Sequence, residues 1–84
     1  MHYDVVDVNP VEHLRLEVTF SDGLTGGVVL NESHLHGVFE ALKNPAVFSK
    51  VNCSHGFVEW PGDIDLAPDA MYEEVKKNGV WILV

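Results

Sequence analysis

Leu14, Leu16, Val18 and Phe20 alternate with Arg15, Glu17 and Thr19, and a period of two places the apolar side chains on one face of a strand and the polar ones on the other. Ser21-Asp22-Gly23 follows, and then a second apolar segment, 24–30. Asp-Gly supplies the positive φ of a tight hairpin, so the two segments are expected to pair antiparallel. Upstream, 3–8 is β-branched and aromatic and runs into Asn9-Pro10, a pair expected to end the strand. The first thirty residues therefore read as a three-stranded meander. Gly26-Gly27, inside the third strand, reads as a bend in the sheet. It is not a phosphate-cradling loop, because neither a helix start nor a lysine follows.

Beyond Asn31 the spacing becomes helical. Val38, Phe39 and Leu42 share one face of a short helix ending near Lys43-Asn44. Asn44 is suited to cap a second short helix, with Pro45 at its first position and Val47 and Phe48 turned inward. The segments 51–53 and 57–60 flank Ser54-His55-Gly56, a connection of hairpin length, and are expected to add two strands to the sheet. Trp60-Pro61-Gly62 ends that pair. Pro68 then starts a helix to about Asn78, with Met71, Tyr72 and Val75 on one face and Gly79 as its cap. Asp69, Glu73 and Glu74 lie toward its start and Lys76-Lys77 toward its end, as the helix dipole favours. The run Val80 to Val84 is strongly β-prone and reads as an apolar C-terminal strand. Together these segments predict an α+β chain: one small domain over 1–84, with an antiparallel sheet of about five strands covered by two or three short helices.

Composition narrows the class of function. Thirteen acidic residues against five basic leave a net charge of −8, which repels phosphate backbones and anionic membranes. Direct nucleic-acid binding and membrane attachment are therefore not expected; the acidity reads first as a means of keeping a small protein soluble, and second as the match to a small basic partner. Five histidines make any such electrostatic contact pH-sensitive. The longest apolar run is far too short to span a bilayer. The opening Met1-His2-Tyr3-Asp4-Val5 has no signal-peptide pattern, and Cys53 stands alone, so cytoplasm is the expected compartment.

The order of several short phrases is more specific than any one of them. Thr19-Phe20-Ser21-Asp22-Gly23 is followed by Val38-Phe39-Glu40-Ala41-Leu42 and Asn44-Pro45-Ala46-Val47-Phe48. Then come Glu59-Trp60-Pro61, Asp65-Leu66-Ala67-Pro68-Asp69 and Met71-Tyr72. Over about 3–74 this pattern resembles a family of small bacterial α+β proteins of unknown function, DUF2442, leaving the helix end and apolar tail, 75–84, outside the shared part. The resemblance implies no catalytic residue. Some members resemble partners of small toxin-like proteins encoded beside them, and others carry a helix-turn-helix domain after this one. No such segment follows within these 84 residues, which tells against direct DNA binding.

Candidate chemistry is sparse. His34, His36 and His55, with Asp63 and Asp65, are the types of side chain that hold a metal, but their spacing matches no established pattern, and exposed loop histidines are the simpler reading. Cys53 and His55 are two apart, as in a strand-borne Cys/His pair, yet no orienting group or oxyanion donor accompanies them, and Cys53 reads as core. Trp60 reads as a packing residue closing a strand. No catalytic or cofactor-binding residue is assigned. Association is the better expectation, through Glu73 and Glu74 on the helix and through Trp81, Ile82, Leu83 and Val84 in the tail. That tail needs cover from another strand, in the same chain or in a homodimer. The leading expectation is a non-enzymatic, acidic protein-interaction module, antitoxin-like or regulatory toward a small basic partner. Its alternatives are a ligand-binding protein, metal-binding protein or enzyme using the His, Asp and Cys groups, and an accessory subunit of a transcription regulator.

Overall fold

The computed structural model describes residues 3–84. Three antiparallel strands come first: β1 (Val5–Glu12), β2 (Arg15–Phe20) and β3 (Thr25–Leu30). In β2 the buried residues are Leu16, Val18 and Phe20, as the alternation requires. Gly23 takes φ 94° in the β2–β3 turn, and the Asp22 side chain accepts the Leu24 N–H at 2.9 Å. A 3-10 turn (Glu32–His34), a 3-10 helix (Gly37–Lys43) and α1 (Pro45–Phe48) follow. Asn44 caps α1 by accepting the Ala46 N–H at 2.9 Å. β4 (Glu59–Trp60) and β5 (Ile64–Asp65) form a small antiparallel ladder; then α2 (Pro68–Asn78) leads into β6 (Val80–Leu83). Gly79, at φ 78°, ends α2 in the left-handed conformation that only glycine adopts at little cost.

The main sheet has the order β1-β2-β3-β6, and β6 runs parallel to β3. The expected sheet of about five antiparallel strands is thus corrected to a mixed sheet of four strands and a separate pair. The segments 51–53 and 57–60 do not extend the sheet. They meet through one bridge, with the Asn52 and Glu59 N–H groups each donating to the other's carbonyl at 2.9 Å. Glu59 and Trp60 pair instead with Asp65 and Ile64, because Gly62 (φ 96°) and Asp63 (φ 63°) fold the chain back at once after Pro61.

Two further expectations change. Asn9-Pro10 does not end β1, which continues to Glu12 with Pro10 opposite Leu16. An edge strand needs no N–H on its open side and so tolerates proline, and register shifts flank this stretch at Val5/Asp7 and Pro10/Glu12. Gly26-Gly27 is not a bend either, since β2 and β3 stay in register from Arg15↔Val29 to Thr19↔Thr25. Gly26 lies beneath α2, where an added Cβ would stand 2.4 Å from Val75 Cγ1 and 2.7 Å from the Gly79 carbonyl oxygen.

One buried cluster joins the inner face of the sheet (Leu16, Val18, Phe20, Val28, Leu30, Leu83) to Leu42, Phe48, Trp60, Met71 and Val75. The radius of gyration is 11.7 Å, against about 12 Å for a compact domain of this length. The opposite face of the sheet carries Arg15, Glu17 and Thr25 as exposed residues.

Candidate functional site

The tail places its residues by strand parity. In the register Val28↔Trp81, Val29↔Ile82 and Leu30↔Leu83, the side chains of Trp81 and Leu83 lie on the inner face with Val28 and Leu30. Leu83 is only 8% exposed and belongs to the core, and Trp81 is half-buried. Ile82, beside Val29, points to the outer face and is 56% exposed; Val84 is 77% exposed. The tail is therefore covered on one side within its own chain and open on the other.

α2 supplies the acidic face. Glu73 is exposed, and Glu74 is half-buried, accepting a hydrogen bond from Asn78 Nδ2 at 3.2 Å. Among the described residues no lysine or arginine lies within 4 Å of a carboxylate, and the one contact of that geometry joins His55 to Glu59. The carboxylates of this strongly acidic chain are thus largely solvated rather than committed to internal partners, which leaves their field available to a basic surface.

The sequence's candidate ligands are placed apart in local roles. The ring of His34 lies 5.0 Å from that of Phe39 and 6.1 Å from that of His36, and its Nδ1 donates to the Val84 carbonyl at 3.3 Å. His55 is exposed, with Nδ1 at 2.6 Å from Glu59 Oε2. Asp63 forms the turn before β5, and Asp65 is an exposed residue of that strand. No three His, Cys, Asp or Glu side chains among the described residues are grouped to hold a metal ion. Burial pushes the half-buried Cys53 thiol above its ordinary pKa and the nearby Asp7 charge adds to this, the reverse of what activates a nucleophile. Trp60 is core: its Nε1–H donates to the Phe48 carbonyl at 2.9 Å.

Two contacts had no signal in the sequence, since each joins distant segments. His13, at the β1–β2 tip, has Nε2 at 2.9 Å from the Leu42 carbonyl and meets the Phe48 ring edge-on at 5.6 Å. An open depression of about 480 Å³ beside that tip is lined by Glu12, His13, Arg15, Asn31 and Glu32. At the opposite end of the hairpin, the Tyr72 hydroxyl donates to Asp22, and the Tyr72 ring packs edge-on against Phe20 and Tyr3, each 5.0 Å away.

The Asp22–Tyr72 bond ties α2 to the β2–β3 turn and makes stability depend on pH. Donation by Tyr72 holds the Asp22 carboxyl below its ordinary value, and the same bond raises the Tyr72 hydroxyl. The Asp22 contribution is therefore complete above the unfolded value of about 4 and is lost as pH falls through the lowered one. The Tyr72 contribution is complete below about pH 10 and is lost as pH rises through the raised value. Urea melts of the wild type and Tyr72→Phe should differ most at neutral pH and converge in acid. A difference that persists unchanged in acid would exclude the charged bond as its source.

A four-stranded mixed sheet with a separate two-stranded ladder, backed by short helices, defines a small α+β domain. A family model described as "Protein of unknown function (DUF2442)" matches residues 5–77, and the chain belongs to that family. The match takes in nearly all of α2, three residues beyond the pattern recognised in the sequence. No curated protein and no solved structure matches the chain. Among the described residues no helix is long and apolar enough to cross a membrane.

Proposed function

We propose that this chain is a non-enzymatic, acidic protein-interaction module of the cytoplasm that neutralises or regulates a small basic protein, in the manner of an antitoxin. The observation that carries the reading is the surplus of eight negative charges combined with the absence, among the described residues, of any lysine or arginine within 4 Å of a carboxylate. Glu73 and Glu74 on α2 are the proposed centre of the contact. Acidic side chains spread over a surface raise the association rate of a basic partner and make its affinity salt-dependent.

The test is capture from the native host by the immobilised chain. A basic protein retained stoichiometrically at moderate salt, released at high salt and lost on Glu73→Lys/Glu74→Lys is the expected result. Absence of a stoichiometric partner, or capture indifferent to both salt and charge reversal, would contradict it. The isolated chain should give no gel shift with DNA, because its field repels the phosphate backbone.

A further inference from the structure

We propose that β6 is the joint of a symmetric homodimer, in which two copies pair antiparallel with Ile82 opposite Ile82 and their two sheets become one continuous sheet. The first support is the direction of the backbone groups. Gly27 N–H donates to the Gly79 carbonyl at 3.1 Å and Asn31 N–H to the Leu83 carbonyl at 2.8 Å. The N–H and C=O of one strand residue point to the same side, and those of the next residue to the other. Gly79, Trp81 and Leu83 therefore face β3, while Val80 and Ile82 present their N–H and C=O groups to the open side of the last strand in the sheet.

The second support is the contrast between the two edges. Native edge strands are commonly blunted by charge, proline or bulges. β1 has all three, in Asp7 and Glu12, in Pro10, and in its two register shifts. β6, four residues long, has no charge, proline or bulge, and Ile82 is 56% exposed on the outer face.

The distribution of charge selects a second copy as the occupant. β3 and β6 contain no charged residue, whereas the outward Asp7, Glu12 and Glu17 lie on β1 and β2. Joining two copies through β6 puts the two β2 strands five spacings apart, roughly 24 Å at ~4.8 Å per spacing. That is about three screening lengths at physiological salt, so the carboxylates of the outer strands do not oppose the joint. A basic segment would find no carboxylate on this edge to recognise, while an identical apolar strand finds its complement. With Ile82 on the axis, the free groups of Ile82 bond to those of its counterpart, and Trp81 of each copy faces Leu83 of the other on the inner side.

The dimer is independent of the basic partner proposed above, and purified chain alone tests it. In sedimentation measurements the mass should rise from 9.3 kDa toward twice that value with increasing concentration. Ile82→Lys, at an exposed position, should keep its fold by circular dichroism and stay at the lower mass. The register places the two Ile82 Cα atoms ~5.5 Å apart, inside the roughly 4.4–6.8 Å span of a disulfide. Ile82→Cys in a Cys53→Ala chain should therefore oxidise to a linked dimer, and Glu17→Cys in the same background should not. A wild type that remains at 9.3 kDa at every concentration would overturn the proposal. Equal dimerisation by Ile82→Lys would overturn the location, and a dimer without the Ile82→Cys link would overturn the register.

Discussion

Trp60→Ala is expected to remove a large share of the stability of this domain. Trp60 is 2% exposed, its ring packs against Phe48 at 5.8 Å, and its Nε1–H donates to the Phe48 carbonyl at 2.9 Å. Truncating a buried aromatic of this size costs about 3–5 kcal/mol, whereas a chain of this length has in total about 4–13 kcal/mol. Trp60→Phe separates the two contributions. It keeps an aromatic ring in the core and loses the hydrogen bond, worth about 0.5–1.5 kcal/mol, while the Phe48 carbonyl retains the Val51 N–H at 3.3 Å. Urea unfolding followed by circular dichroism should rank wild type, Trp60→Phe and Trp60→Ala in that order. A fully stable Trp60→Ala would show that the β4–β5 ladder is not anchored through this residue.

Gly26→Ala and Gly27→Ala should have opposite outcomes despite being neighbours. A Cβ on Gly26 would meet Val75 Cγ1 at 2.4 Å and the Gly79 carbonyl at 2.7 Å. Val75 is β-branched and buried in a helix, so its rotamer is fixed. The Gly79 carbonyl is held by the Gly27 N–H. Relief requires lifting the end of α2 together with the start of β6, and overpacking of this kind costs about 1–3 kcal/mol. A Cβ on Gly27 would lie 3.5 Å from Val80 Cγ2, an ordinary contact. Its substitution should be neutral or stabilising by about 0.4–1 kcal/mol through the unfolded chain. Equal effects at the two positions in urea melts would contradict the close seating of α2 on β3. Gly26→Ala should also weaken dimerisation, since it disturbs the strand that forms the joint.

Local signals were readable wherever one short segment decides its own conformation. Alternation through Leu16, Val18 and Phe20 defines β2, Asp22-Gly23 defines its turn, and Asn44-Pro45 defines the start of α1. Pro68 and Gly79 bound α2 at both ends. Pairing between distant segments was not readable. β6 adds to β3 after a crossover spanning 31–79, and nothing in Val80-Trp81-Ile82-Leu83 names Gly27-Val28-Val29-Leu30 as its neighbour. The glycine at position 26 permits the close seating of α2 on β3, because an added Cβ there would meet Val75 and the Gly79 carbonyl. Pro10 misled for a related reason: a proline stops a central strand, but β1 is an edge. The candidate interaction residues divided along the same line. Strand periodicity alone could not show that Leu83 faces the core while Ile82 faces outward, since that depends on which neighbour the strand finds.

The central claim is that β6 uses alternate backbone groups for two purposes, one set inside the chain and one set between copies. Residue-resolved amide hydrogen exchange at low and high protein concentration tests it most directly. In dilute protein the Trp81 and Leu83 amides should be protected by β3, while those of Val80 and Ile82 exchange freely; in concentrated protein the Ile82 amide should become protected as well. Uniform exchange across the four residues, or an Ile82 amide that stays unprotected at every concentration, would contradict the claim.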